Sequence, residues 1–135
     1  MAPGSEEVAA QLGLAAGDAT IHLLRLRLFN DEPFAVENIW LPHDRFRALL
    51  EIPLDELGPL LYPAYENVCG QMVAAIEETL TISSASPEQA ELLRVATQSP
   101  AVVIQRLARA HDSAPLEYRR SCGRADRFSY RIEVR

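Results

Sequence analysis

An α+β fold built on an antiparallel sheet is the architecture this sequence predicts, and three observations carry the prediction. Alternating apolar segments flank Asn30-Asp31-Glu32-Pro33 and again flank His111-Asp112-Ser113-Ala114, the pattern of two hairpins. The helical patterns lie in separate blocks and do not alternate with strands as βαβ units would. The chain has 135 residues, 48% hydrophobic and 24% charged, which is the size and composition of one globular domain.

Taken in order, residues 5–12 read as a short helix that stops near Gly13 and Gly17. Thr20 to Phe29 alternates as a strand, and Phe34 to Leu41 reads as its returning partner. Pro42 opens a short helix over His43–Leu50, since proline is tolerated in a first helical turn. Residues 55–68 form a second helical pattern, interrupted by Pro59 and Pro63. Gln71 to Ser83 is rich in Val, Ile and Thr and reads as a long strand. Ser86-Pro87-Glu88-Gln89 is the sharpest local signal: Ser86 suits the N-cap, Pro87 the first helical position, and Gln89 the reciprocal bond of a capping box. That helix is expected to run to about Val95, with Ala90, Leu92 and Leu93 inward. Ala101–Ala110 and Pro115–Cys122 form the second hairpin, and Phe128–Val134 is expected to close the sheet as a last strand.

The same residues exclude several classes. No apolar run approaches the roughly 18 residues of a membrane span, so no membrane partner is expected. Met1 to Glu7 has neither the basic nor the apolar region of a signal peptide, and the reading is a cytoplasmic chain. The net charge is −6, and every basic residue is arginine. An acidic chain without a basic run is a poor nucleic-acid binder by itself. Cys69 and Cys122 suit free thiols in a reducing compartment, with one disulfide as the alternative. CxxC, HExxH, P-loop, GxGxxG and GxSxG motifs are absent, so no metal, cofactor or catalytic triad is expected.

One constellation carries chemistry. Ile21, Leu23, Arg25, Arg27 and Phe29 share one face of the first strand, and Thr20, His22, Leu24, Leu26 and Leu28 the other. Both faces are largely apolar, so helices or a partner are expected to cover both. Arg25 and Arg27 then lie among hydrophobes and need anions. Glu37 on the returning strand and Glu117 in the second hairpin are the visible sources. Register decides the pairing: a five-residue loop over residues 30–34 places Arg27 opposite Glu37, and a four-residue loop puts them on opposite faces. The arrangement reads either as a buried Arg–Glu network that holds the sheet or as a pocket whose arginines hold an anionic metabolite. Tyr62 and Tyr65 read as core residues, with Tyr62 also able to offer its hydroxyl to a ligand. His22, His43 and His111 have no catalytic spacing. The basic run Arg119 to Arg127 reads as a solvated edge and turn with an Arg–Asp pair.

A family pattern joins these pieces. The runs Val8–Gly17, Leu24-Arg25-Leu26-Arg27, Asp31–Glu37 and Leu41-Pro42 resemble the UTRA domain, the effector-sensing domain of GntR-type transcription regulators of the HutC subfamily. Ser86–Leu93, Ser99-Pro100 through Gln105-Arg106, Asp112, Pro115–Tyr118 and Arg124–Phe128 continue the resemblance, which covers residues 8–134. It implies a chorismate-lyase-like fold, an antiparallel sheet of about six strands flanked by helices, often paired as a homodimer. It also implies a non-catalytic pocket for a small anionic metabolite: a sugar phosphate, a histidine-pathway acid, a fatty acid or a phosphonate. Arg25, Arg27, Glu37, Tyr62 and Glu117 match residues that line the pocket of the family's sugar-phosphate sensors.

The family's ligand acts on an N-terminal winged-helix domain, so DNA is a partner only through a domain this sequence lacks. The resemblance makes residues 1–135 one ligand-binding domain, shortened at its opening segment, either as a fragment or as a truncated regulator. Leu60 stands where the family has a phosphate-holding serine, Cys69-Gly70 where Tyr-Gly is common, and Cys122-Gly123 where aromatics are common. Leu60 favours a less polar anion, such as a small carboxylate with an apolar body. The competing readings are a lyase on the same fold and a dimerisation module without a ligand.

Overall fold

A computed structural model describes residues 5–129 and 131–134. The elements run α1 (Ser5–Leu12), β1 (Thr20–Phe29), β2 (Glu32–Pro42), α2 (His43–Phe46), α3 (Leu61–Cys69), β3 (Ala75–Ser84), α4 (Pro87–Leu93), β4 (Pro100–Arg109) and β5 (Pro115–Arg124). Among the described residues five strands form one sheet in the order β1-β2-β5-β4-β3. Every neighbouring pair is antiparallel. The fold class is the expected one, with five strands against the six anticipated.

The hairpin of β1 and β2 sets the site. Asn30 and Asp31 both have positive φ, 51° and 63°, so the loop is a two-residue turn that Asn and Asp tolerate. Carried straight on, that register would place Glu37 on the face opposite Arg25 and Arg27. A register shift between Arg27 and Leu28 leaves Phe34 as an extra residue of β2, and beyond it Arg25 faces Glu37 and Arg27 faces Ala35. Neither anticipated loop length occurs. The bulge restores the shared face by another route, with Glu37 opposite Arg25 and two pairs along from Arg27.

α3 begins at Leu61 although Pro63 lies in its first turn, where a backbone N–H has no intrahelical partner to lose. It ends on Gly70 at φ 68°, with the Gly70 N–H on the Glu66 carbonyl. α4 carries the anticipated capping box: the Gln89 N–H donates to Ser86 Oγ at 3.2 Å and the Ser86 N–H to Gln89 Oε1 at 3.0 Å.

One face of the sheet, the front, meets α2, α3 and the 3-10 turn Arg47–Glu51 through a core of Ile21, Ile39, Leu41, Phe46, Leu49, Leu61 and Tyr65. The rear face is covered at two places. Val8 and Leu12 of α1 pack on Trp40 and Tyr118, and Leu93 of α4 packs on Val36, Ala101 and Cys122. Among the described residues nothing covers the rear of edge strand β1, where Leu24, Leu26 and Leu28 are exposed, contrary to expectation.

Other boundaries also move. The helix anticipated over His43–Leu50 splits into α2 and a 3-10 turn, and Pro42 ends β2 and caps α2 instead of entering it. The pattern over 55–68 becomes a 3-10 turn at Leu54–Glu56, then α3. β3 starts at Ala75, not Gln71. α4 stops at Leu93, short of Val95, and Leu92 is exposed because the buried stripe of the helix runs through Ala90 and Leu93, three residues apart.

The closing strand is absent: residues 128, 129 and 131–134 have no regular structure, and Tyr130 lies outside the described residues. β5 is already flanked by β2 and β4, so the chain leaving it through the turn Ala125–Arg127 has no free edge beside it. Both cysteines are free thiols. No helix of the described residues is long and apolar enough to cross a membrane.

Candidate functional site

Alternation along each strand brings a polar cluster to the front face. β1 contributes Arg25 and Arg27, β2 Glu37, β5 Glu117, Arg119 and Ser121, β4 Arg106, and β3 Glu78. Tyr62 and Tyr65 approach from α3. All five residues singled out in the sequence, Arg25, Arg27, Glu37, Tyr62 and Glu117, therefore lie in one cluster.

Glu117 occupies the closed end. Its residue is fully buried, and both carboxylate oxygens are used. Arg119 donates from Nε to Oε1 at 3.1 Å and from Nη2 to Oε2 at 2.9 Å. Tyr65 donates to Oε2 at 2.5 Å and Tyr62 to Oε1 at 3.3 Å. Burial pushes the Tyr65 phenol far above its ordinary value, and the adjoining Glu117 carboxylate pushes it further. The same two causes raise Tyr62. Burial opposes the charge on Arg119, but Glu117, through its charge and hydrogen bonds, and Glu37 together outweigh it and raise its pKa.

Glu37 occupies the open end and is held loosely. Its contacts to Arg27, Arg119 and Ser121 are each 3.5 Å long. Its Oε1 is buried without a hydrogen-bond partner, one of two such side-chain atoms among the described residues. The other, Tyr118 Oη, lies on the rear face beneath α1.

Two cavities open here. One, about 320 Å³, is lined by Arg25, Arg27, Arg106, Arg119 and residues 59–63 at the start of α3. The other, about 210 Å³, runs between Phe34 and Phe128 over Val102, Ile104 and Gly123, with Glu37 and Ser121 in its wall. Arg106 reaches Glu78 Oε2 at 2.7 Å and the Tyr62 hydroxyl at 3.1 Å, and with Arg119 it lines both cavities. Arg25 gives one N–H to the Pro59 carbonyl at 2.9 Å. Burial lowers its pKa, Glu37 partly offsets this, and Arg27 and Arg119 add to the lowering. Leu60 caps α3 without a side-chain hydrogen bond and is exposed at the cavity mouth.

Arg106, Arg119, Ser121 and Glu78 are the members that sequence reasoning missed. A signal for two of them was present: counting in twos from Glu117 reaches Arg119 and Ser121, which the basic run to Arg127 masked as solvated edge. The expected Arg–Asp pair does occur there, as Arg124 with Asp126 at 2.8 Å. His22 lies on the rear face, stacked 4.8 Å from Trp40 and bonded to Asn38. His43 meets Asp44, and His111 is exposed. No group of three or more His, Cys, Asp or Glu able to hold a metal ion occurs among the described residues.

The front face thus presents an open, arginine-rich pocket suited to an anionic ligand, and known proteins show the same fold and pattern. The chain resembles the HTH-type transcriptional repressor NagR of Bacillus subtilis, 26% identical over 126 residues, covering 93% of this chain and 51% of that protein. It resembles the HTH-type transcriptional regulator GgaR of Escherichia coli at 28% identity over 131 residues, 95% of this chain and 49% of that one. Among solved structures, the ligand-binding domain described as that of a GntR-family transcriptional regulator from Bordetella bronchiseptica superimposes with a TM-score of 0.86 at 30% identity. That match covers 99% of this chain and 82% of that one.

The UTRA domain model matches residues 1–129, and the chain belongs to the UTRA family. It spans about half the length of the curated relatives it matches. Those relatives are transcriptional regulators, and the chain is an effector-binding regulatory domain of that kind, not an enzyme.

Proposed function

We propose that residues 1–135 act as one ligand-binding domain, the sensor of a cytoplasmic regulator of the HutC subfamily. It binds a small anionic metabolite at Arg25 and Arg27, and Glu37, Tyr62 and Glu117 shape the pocket. DNA is contacted by a winged-helix domain outside this sequence. The observation that carries the reading is the first cavity, where two arginines converge beside the uncapped start of α3. The positive end of the helix favours an anion there.

The charge balance supports it. Among the described residues Arg25, Arg27, Arg106 and Arg119 stand against Glu37, Glu78 and Glu117, four cations to three anions. A ligand switches such a regulator only by binding two of its states with different affinity.

The test is a thermal-shift and calorimetric screen of this chain against sugar phosphates, mono- and dicarboxylates, amino-acid catabolites and fatty acids. A ligand at 100 times its Kd stabilises by about 2.7 kcal/mol. Saturable binding without turnover is expected, lost in Arg25→Ala and Arg27→Ala. Unchanged affinity in both variants removes the site assignment.

The homodimer is part of the same proposal. β3 is an edge strand whose residues are all exposed, Ile76, Leu80 and Ile82 included, and an exposed apolar edge invites pairing with a second copy. Light scattering is expected to give twice the 15.0 kDa chain mass, reverting to one mass in Leu80→Lys. A monomeric native chain contradicts this part.

A further inference from the structure

The two cavities differ in how their charges are spent. In the second cavity every arginine is committed. Arg124 holds Asp126 through two hydrogen bonds at 3.0 and 2.8 Å, and Arg127 holds Glu32 at 2.8 Å. Arg106 holds Glu78, and Arg119 holds Glu117. The surface left to receive a ligand there is Phe34, Ala35, Val102, Ile104 and Phe128. In the first cavity Arg106 and Arg119 are committed in the same way, but Arg25 and Arg27 are under-used: among the described residues Arg27 meets only the 3.5 Å contact to Glu37, and Arg25 has given one N–H to Pro59. Charge is therefore available in one compartment and apolar surface in the other.

Glu37 stands at the seam. It lines the second cavity, and its Oε1 is 3.5 Å from Arg27, which lines the first. That oxygen is buried and accepts no hydrogen bond. A simple carboxylate seated on the arginines would leave it unsatisfied and would face it with like charge. A ligand that satisfies both groups presents an anion to the arginines and, on the adjoining atom, a hydrogen-bond donor to Glu37.

We infer that the effector is a 2-substituted carboxylic acid: a carboxylate on Arg25 and Arg27, a neighbouring hydroxyl or ammonium donating to Glu37 Oε1, and an apolar side chain in the compartment over Val102 and Ile104. This deepens the anion-sensor reading and rests on it. It assigns Glu37 the selection of the donor and Ile104 the selection of the apolar body.

Four probes on the native chain test it by titration calorimetry. 3-Phenyllactate carries the acid, the hydroxyl and an apolar body. Phenylalanine replaces the hydroxyl with an ammonium, 3-phenylpropionate lacks the donor, and lactate lacks the body. One hydrogen bond to a charged group is worth about tenfold in affinity. Either phenyllactate or phenylalanine is expected to bind at least that much tighter than 3-phenylpropionate and than lactate, and the better of the two identifies the donor.

Glu37→Gln should narrow the gap to 3-phenylpropionate, and Ile104→Trp should erase the advantage over lactate while lactate affinity holds. Equal binding of phenyllactate, phenylalanine and 3-phenylpropionate overturns the role of Glu37, and lactate binding as tightly as its phenyl derivative overturns the apolar compartment. Both results leave the anion pocket standing. Silence from all four probes, with Arg25→Ala also without effect on any screened anion, overturns both readings.

Discussion

Glu117 and Glu37 project from neighbouring strands on the same face of one sheet, yet their surroundings differ in kind. Glu117 is sealed beneath α3, with both oxygens bonded to Arg119, Tyr62 and Tyr65. Glu37 is nearly as buried, but all its contacts are 3.5 Å long and one oxygen accepts nothing. A buried carboxylate with every lone pair engaged is architecture: it fixes α3 against the sheet and orients Arg119. A buried carboxylate left short of a donor beside two cavities is a receptor, because folding has left the desolvation cost of that oxygen uncompensated. The two ends of one cluster thus divide into scaffold and recognition.

The sharpest way to break this division is at the closed end. Glu117→Ala strands Arg119, only 11% exposed, without its main partner, and is expected to cost about 3–5 kcal/mol in urea unfolding. Tyr65→Phe removes one donor from Glu117 and is expected to cost about 1–3 kcal/mol.

The same phenols set a pH limit. Tyr62 and Tyr65 have raised values in the folded chain, so both stay protonated there where the unfolded chain has begun to ionise. Their contribution is full below the ordinary tyrosine value near 10.0 and is lost as pH rises above it. Stability should fall above pH 10, less steeply in Tyr65→Phe, as read by thermal melts across pH 9 to 11. Ser121→Ala at the open end removes only a 3.5 Å contact to Glu37 and should change stability by less than about 0.5 kcal/mol.

Much of the scaffold was legible because it rests on local rules. Alternation set β1 at its observed ends, Ser86 and Gln89 announced α4, Pro115 opens a real strand, and β4 starts one residue before the expected Ala101. Alternation also placed Arg25, Arg27 and, within β5, Glu117 on definable faces. What local rules do not reach is the bulge at Phe34, a single extra residue that returns Glu37 to the arginine face. They also do not report sheet order. Phe128, Ile132 and Val134 alternate like a strand, but Ile132 and Val134 are exposed, because the strand before them has no vacant side. Arg106 entered the site through cross-strand pairing with Arg119 and Glu78, a relation between distant segments that spacing within one segment does not carry.

Equilibrium urea unfolding of Glu117→Gln and Glu37→Gln, measured side by side, tests the division most directly and needs no ligand. Glu117→Gln should lose about 3 kcal/mol or more, since it breaks the bidentate pair with buried Arg119. Glu37→Gln should stay within about 1 kcal/mol of the native chain, because Arg119 keeps Glu117 and Arg27 is partly solvated. Equal and large losses in both variants would make Glu37 a structural residue and contradict the account.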